Sequence, residues 1–206
     1  MSFRQQFKLL GSAVIVSGLF LTFFRESGNS VLFTYLTPFM QDILQLKASN
    51  ISIVMLVFGI FGAVGTRLSG YGIDRWGAAR IIAFSTIVLV VVLALLPLFA
   101  GSTLIGLLLI SLMMLSQFMA GPATQTYFIQ QAPQSSSLVL SLNTSIIHLG
   151  LATGAGAGGA MISANSTVLY NPWMASFIVI LALVSAFISF SMGKKRLSNL
   201  QKRQAS

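Results

Sequence analysis

The chain has 206 residues, of which 55% are hydrophobic and only 7% are charged. A soluble domain carries roughly 25% charged residues, so this composition cannot build a water-facing surface and reads as an integral membrane protein. The net charge of +9 does not point to nucleic acid, because the basic residues flank apolar runs and form no continuous stripe with interleaved aromatics.

A spanning helix needs about 20 mostly apolar residues. The first apolar stretch runs from Leu9 to about Phe39 and is interrupted at "RESGNS", residues 25–30. Split there, its pieces are short for spanning. Kept whole, at 1.5 Å per residue, it is long enough for one tilted, locally unwound helix. One broken helix is therefore expected. Its start, Arg4 and Lys8 followed by "LLGSAVIVSGLFLTFF", mimics a signal peptide. No A-x-A-like cleavage site follows, so it reads as a retained first span.

The second span covers about Ile51 to Ser69, the third about Ile81 to Phe99 and the fourth about Leu104 to Ile129. The fifth covers about Leu138 to Ser163 and the sixth about Val168 to Met192. The fold class expected is thus all-α, a polytopic membrane protein with six transmembrane helices in a single domain, residues 1–206. With six spans, Arg4, Lys8, Arg67, Arg75, Arg80, Lys194, Lys195, Arg196, Lys202 and Arg203 fall on one side and Lys47 on the other. The positive-inside rule then places both ends, 1–8 and 193–206, and the segment 70–80 in the cytoplasm. Seven spans would move Arg4 and Lys8 outside and spoil that bias. The expected location is the cytoplasmic (inner) membrane.

The helices differ in character. The third and sixth are apolar nearly all round and should face lipid. The first carries Arg25, Glu26, Asn29 and Tyr35; the fourth carries Gln117, Thr124, Gln125 and Tyr127 with a Gly121-Pro122 break; the fifth carries Asn143 and His148. Such groups cannot face lipid cheaply, so they face protein or a water-filled cavity. The sequence of broken-polar, small-rich and greasy helices then repeats, which reads as two three-helix repeats. Broken first helices at matching positions of two halves point to a transport site. The expected substrate or proton pathway is Arg25, Glu26, Asn29, Tyr35, Gln117, Gln125, Asn143 and His148. Arg25 and Glu26 are adjacent and point about 100° apart on a helix, so each is expected to need another partner. Gly150, Gly154 and Gly158 recur at i,i+4 and should let another helix approach closely.

Enzyme chemistry finds no footing. Three acids, one histidine and no cysteine make no metal cluster, no nucleotide-binding Gly-rich loop is present, and the serine-rich segments lack a base. No cofactor is expected. The partners expected are the lipid bilayer and a small-molecule substrate.

"GYGIDRWGAAR" at 70–80 resembles the loop signature of the major facilitator superfamily, G-x-L-a-D-R-x-G-R-R, between the second and third helices of a six-helix half. Gly70, Asp74, Arg75 and Gly77 match; Gly72 replaces the usual leucine, Ala78 and Ala79 replace basic residues, and Arg80 follows. "FTYLTPFM" (33–40), "GPATQTYFIQQAP" and "SLNTSIIHLGLATGAGAGGAMI" are similar to the seventh, tenth and eleventh helices of sugar- and drug-efflux members. The resemblance implies the C-terminal six-helix half of an efflux-type, proton-exchanging antiporter that works by alternating access. It implies that Asp74, with Gly70, Arg75, Gly77 and Arg80, forms a gating loop whose aspartate caps a helix of the opposite half. That second half could come from a homodimer or from a separate N-terminal half. The alternative is a truncated or non-transporting partner of a larger transporter.

Overall fold

The computed structural model describes residues 12–204, and side chains as far as Gly193. The N-terminal end expected to lie in the cytoplasm, with Arg4 and Lys8, and the basic side chains after Gly193 fall outside what is described. Six long helices follow one another: α1 (Ala13–Phe33), α2 (Ala48–Trp76), α3 (Ala78–Leu95), α4 (Thr103–Gln131), α5 (Ser136–Asn165) and α6 (Asn171–Gln204). Spans of helix in α2 to α6 are long and apolar enough to cross a membrane. In α1 the polar run at 25–30 dilutes an otherwise apolar 21-residue helix.

That run does not break α1, contrary to the expectation. Residues 25–30 are regular α-helix, and Arg25, Ser27, Gly28, Asn29 and Ser30 are all buried. Neighbouring helices satisfy much of their polarity, so the backbone has no reason to unwind. The irregularity falls later. Tyr35 leaves the helical region at φ −108°, ψ 22°, and after Pro38 the chain makes a wider π-helical turn, Phe39–Ile43. The fourth helix is likewise unbroken, with Pro122 held inside α4.

The segment 70–80 is also not a loop. α2 runs through Trp76 and α3 begins at Ala78, leaving Gly77 as the whole connection. Gly77 adopts φ 86°, ψ 153°, a conformation essentially reserved for glycine. Its N–H still donates to the Ile73 carbonyl at 2.9 Å, which closes the last turn of α2.

α1 packs against α5 and α6, α4 packs against α2 and α3, and α3 meets α6. The α1–α5 seam is the close one. A Cβ on Gly150 would lie 2.9 Å from the Phe23 carbonyl oxygen, one on Gly154 would strike the Ser27 carbonyl, and one on Gly158 would lie 2.6 Å from the Val31 carbonyl oxygen. The glycine face of α5 thus lies directly against the α1 backbone of the same chain. α3 and α6 present apolar ridges outward, including Phe84, Ile87 and Val91 on one and Phe177, Val184 and Phe187 on the other. They do not face outward all round: Ser85 and Thr86 of α3 and Ala175, Ala182 and Ser189 of α6 are buried. Small side chains make those faces suited to helix packing, a feature that overall greasiness conceals.

The interior is layered. One apolar cluster gathers Val31, Leu36, Phe39, Leu89, Leu93, Ile110 and Met113. Another gathers Ile15, Leu19, Ile82, Met119, Phe128 and Ala182 at the opposite end. Between them α1 offers residues 22–30 and α4 offers 115–118, and that is where the polar side chains sit.

Candidate functional site

The polar layer is built by spacing. Thr22, Arg25, Glu26 and Asn29 recur at i, i+3, i+4 and i+7, so one side of α1 carries all four. α4 brings Ser116 and Gln117 opposite them. The Arg25 guanidinium is buried, 3% exposed, and its Nη2 donates to the Ser116 carbonyl at 2.9 Å. Gln117 Nε2 donates to both carboxylate oxygens of Glu26, at 2.8 and 3.1 Å. Arg25 Nη1 also reaches Glu26 Oε1 at 3.4 Å. The expectation that these adjacent residues do not pair is therefore corrected. The two charged groups meet at that distance, and each also has a further partner on α4.

A small cavity of about 50 Å³ opens beside this pair. Thr22, Arg25, Glu26, Thr124, Gln125 and Asn143 lie on its wall, with Leu21, Ala120, Gly121 and Ile147 completing it. Asn143 of α5 is buried, and its Oδ1 accepts from the Thr22 hydroxyl at 2.8 Å. Four polar atoms of this layer keep unused bonding capacity within the described residues: Arg25 Nε, Ser27 Oγ, Asn29 Oδ1 and Gln117 Oε1. Buried polar groups are normally paired. A charged pair with spare donors and acceptors beside a cavity can bind a small polar group or pass a proton.

Of the eight residues expected in the pathway, Arg25, Glu26, Gln117, Gln125 and Asn143 come together here. Asn29 is buried one turn further along α1. Tyr35 lies beyond the layer, where its hydroxyl donates to the Ala155 carbonyl at 2.9 Å and its ring covers Gly158 and Gly159. His148 is exposed on α5 and takes no part in the cavity wall. Its helix buries Asn143, Gly150, Gly154 and Gly158 against α1, and His148 is turned away from that face. Thr22 was missed; its i,i+3,i+4 relation to Arg25 and Glu26 was the available signal.

The residues grouped as a gate sit where α2 meets α3. Gly70 has open space around it and Gly77 forms the turn. Gly72 is pressed against Ile81. Asp74 is exposed in the last turn of α2, and no ion pair joins it to Arg75 or Arg80. Arg75 instead donates to the Tyr71 hydroxyl at 2.8 Å and lies over the Trp76 ring.

A bundle of long apolar helices enclosing a charged pair is that of a multi-pass membrane protein. The chain belongs to the Major Facilitator Superfamily, whose family model matches residues 15–204. It is 30% identical over 192 residues to the uncharacterized MFS-type transporter YbcL of Bacillus subtilis (strain 168), covering 93% of this chain and 49% of that protein. It is 26% identical over 186 residues to the inner membrane transport protein YdhP of Escherichia coli (strain K12), covering 90% and 48%. A shorter match, 29% over 92 residues, reaches the purine ribonucleoside efflux pump NepI of Shigella sonnei (strain Ss046), covering 42% and 23%. The chain thus spans about half the length of the first two relatives.

Proposed function

We propose that this chain forms a six-helix half of a small-molecule transporter that works by alternating access, the counterpart of the C-terminal half of an efflux-type, proton-coupled member. The observation that carries the proposal is the Arg25–Glu26–Gln117 cluster. Two ionisable groups held at the middle of an apolar bundle cost about 2.5–3.5 kcal/mol or more each and ordinarily mark a pathway. Glu26 is the proton-carrying candidate. Arg25, Gln117, Gln125 and Asn143 would hold the substrate or orient the carboxylate.

The pattern of helix packing supports two three-helix repeats. Exchanging α1, α2, α3 for α4, α5, α6 turns the α1–α5 contact into α4–α2, turns α1–α6 into α4–α3, and returns α3–α6 to itself. Efflux rests on the sequence resemblance and on the partial match to a named efflux pump. The membrane is the inner membrane, with both ends cytoplasmic.

A central site in this family needs a second six-helix body. It would be supplied by a second copy of the chain or by a separate N-terminal half. Asp74, exposed and unpaired, is the group left to latch the cytoplasmic side by capping a helix of that body.

Glu26→Gln in reconstituted vesicles tests the assignment. Transport should be abolished or uncoupled while membrane insertion stays intact. Unchanged proton-driven transport would remove Glu26 from the pathway, and absence of transport in every assembly of the unaltered chain would favour the non-transporting partner.

A further inference from the structure

Where α2 meets α3, the surface carries two adjoining grooves unrelated to the Arg25–Glu26 cavity. The larger, about 600 Å³, lies between α2 and α3 over a floor of α4, lined by Leu68, Tyr71, Phe84, Leu115 and Met119. The second, about 390 Å³, is edged by Gln130 and Gln131 near the end of α4. Trp76 and Arg80 belong to both and stand at the junction. One groove is therefore almost wholly apolar, the next adds the amide groups of Gln130 and Gln131 to a mainly apolar lining, and a cation marks the boundary.

The charge at that boundary is available. Arg75 is engaged with the Tyr71 hydroxyl and the Trp76 ring. Arg80 is exposed and has no hydrogen bond or ion pair among the described residues, and Asp74 does not neutralise it. Half-exposed Tyr71 and Trp76, ring edge to ring face at 6.1 Å, form an amphipathic aromatic pair beside it, the kind of pair found at the level of lipid headgroups. We infer that this bipartite groove binds one anionic phospholipid, with an acyl chain along the α2–α3 groove and the phosphate at Arg80. A second copy of the chain covering the face would bring another unpaired cation and little acidic complement, having three acidic residues in all. A lipid brings the negative charge and the apolar tail on one molecule.

The chain has two tryptophans, so Trp173→Phe leaves Trp76 as the sole reporter. The full chain carrying that change is placed in lipid nanodiscs containing phosphatidylcholine and phosphatidylglycerol, with bromine on the acyl chains of one or the other. Brominated phosphatidylglycerol should quench Trp76 as though enriched about five-fold over its bulk fraction, the factor that one basic side chain at a lipid surface confers. Arg80→Gln should abolish the enrichment, Arg80→Lys should keep most of it, and Arg67→Gln should leave it unchanged. Circular dichroism confirms that each variant is folded. Equal quenching by the two lipids overturns the inference, because the groove then holds only annular lipid. Quenching by neither overturns it in favour of a protein cover. An equal loss in Arg67→Gln and Arg80→Gln overturns it in favour of diffuse surface attraction.

Discussion

Replacing Gly154 by alanine should weaken the fold, although alanine is the better helix former. A Cβ there would strike the Ser27 carbonyl oxygen and lie 2.8 Å from Ser30 Cβ. Non-bonded carbons rest at about 3.5–4.0 Å, so α1 and α5 must part by roughly 0.7 Å or more. The obstruction is backbone, and no side-chain rotation relieves it. Overpacking of this kind costs about 1–3 kcal/mol. Parting also strains the bonds that cross the seam: Ser30 to the Leu151 carbonyl at 2.8 Å, Tyr35 to Ala155 at 2.9 Å, and Thr22 to Asn143 at 2.8 Å. Interhelical bonds in membranes average about 0.6 kcal/mol each. Gly156→Ala on the same helix is the matched control, since a Cβ at that position meets nothing within 4 Å. Unfolding of the two variants in mixed micelles by rising denaturing detergent, followed by circular dichroism, measures the difference. Gly154→Ala should fall about 2 kcal/mol or more below Gly156→Ala. Equal stability would show that the α1–α5 seam is not as close as described.

At the α2–α3 turn, Gly77→Ala forces a side chain into a conformation that costs about 1–3 kcal/mol, whereas Gly70→Ala stands in open space and should be neutral or slightly stabilising; thermal unfolding in detergent separates them. Gln117→Leu removes both bonds from Gln117 to Glu26 and should cost about 1–2 kcal/mol in stability as well as slowing proton-driven transport in vesicles. Cysteines introduced singly into this cysteine-free chain test orientation: positions within 45–49 should react with an impermeant reagent from outside intact cells, and position 200 should not.

The helices were legible because each is long and apolar, and the glycine face was legible because close packing needs a repeat of small residues that sequence displays directly. What sequence could not supply was partnership. "RESGNS" looks like an interruption when read along one strand of text, because a helix interior with two charges and three further hydrogen-bonding residues lacks local support. Gln117 and the Ser116 carbonyl, some 90 positions away, provide that support, and the helix continues. The angle of His148 on α5 was equally unreadable: it is exposed, away from the face that buries Asn143. "GYGIDRWGAAR" was taken for a loop because glycines and charges crowd it. Only Gly77 has a conformation that interrupts the helix, and which of three glycines breaks a helix depends on φ, a quantity the letters do not carry. The irregular turn at 34–43 gave almost no signal beyond Pro38, since a π-turn differs from the α-helix by one extra residue per hydrogen-bonded turn.

The carbonyls behind Gly150, Gly154 and Gly158 also constrain how the chain can change over generations. Where a glycine abuts a side chain, as Gly18 does the Phe128 ring, Gly62 the Phe118 ring and Gly106 the Leu44 side chain, a larger residue can be accepted if its neighbour shrinks in a second mutation. Those pairs are free to drift together. On the α1–α5 seam the neighbour is the Phe23, Ser27 or Val31 carbonyl oxygen, which every amino acid at those positions supplies alike. No second mutation in α1 restores the space. Among homologues aligned across both helices, the three seam positions should therefore stay small without covarying with α1, while the ring-facing glycines should exchange bulk with their partners.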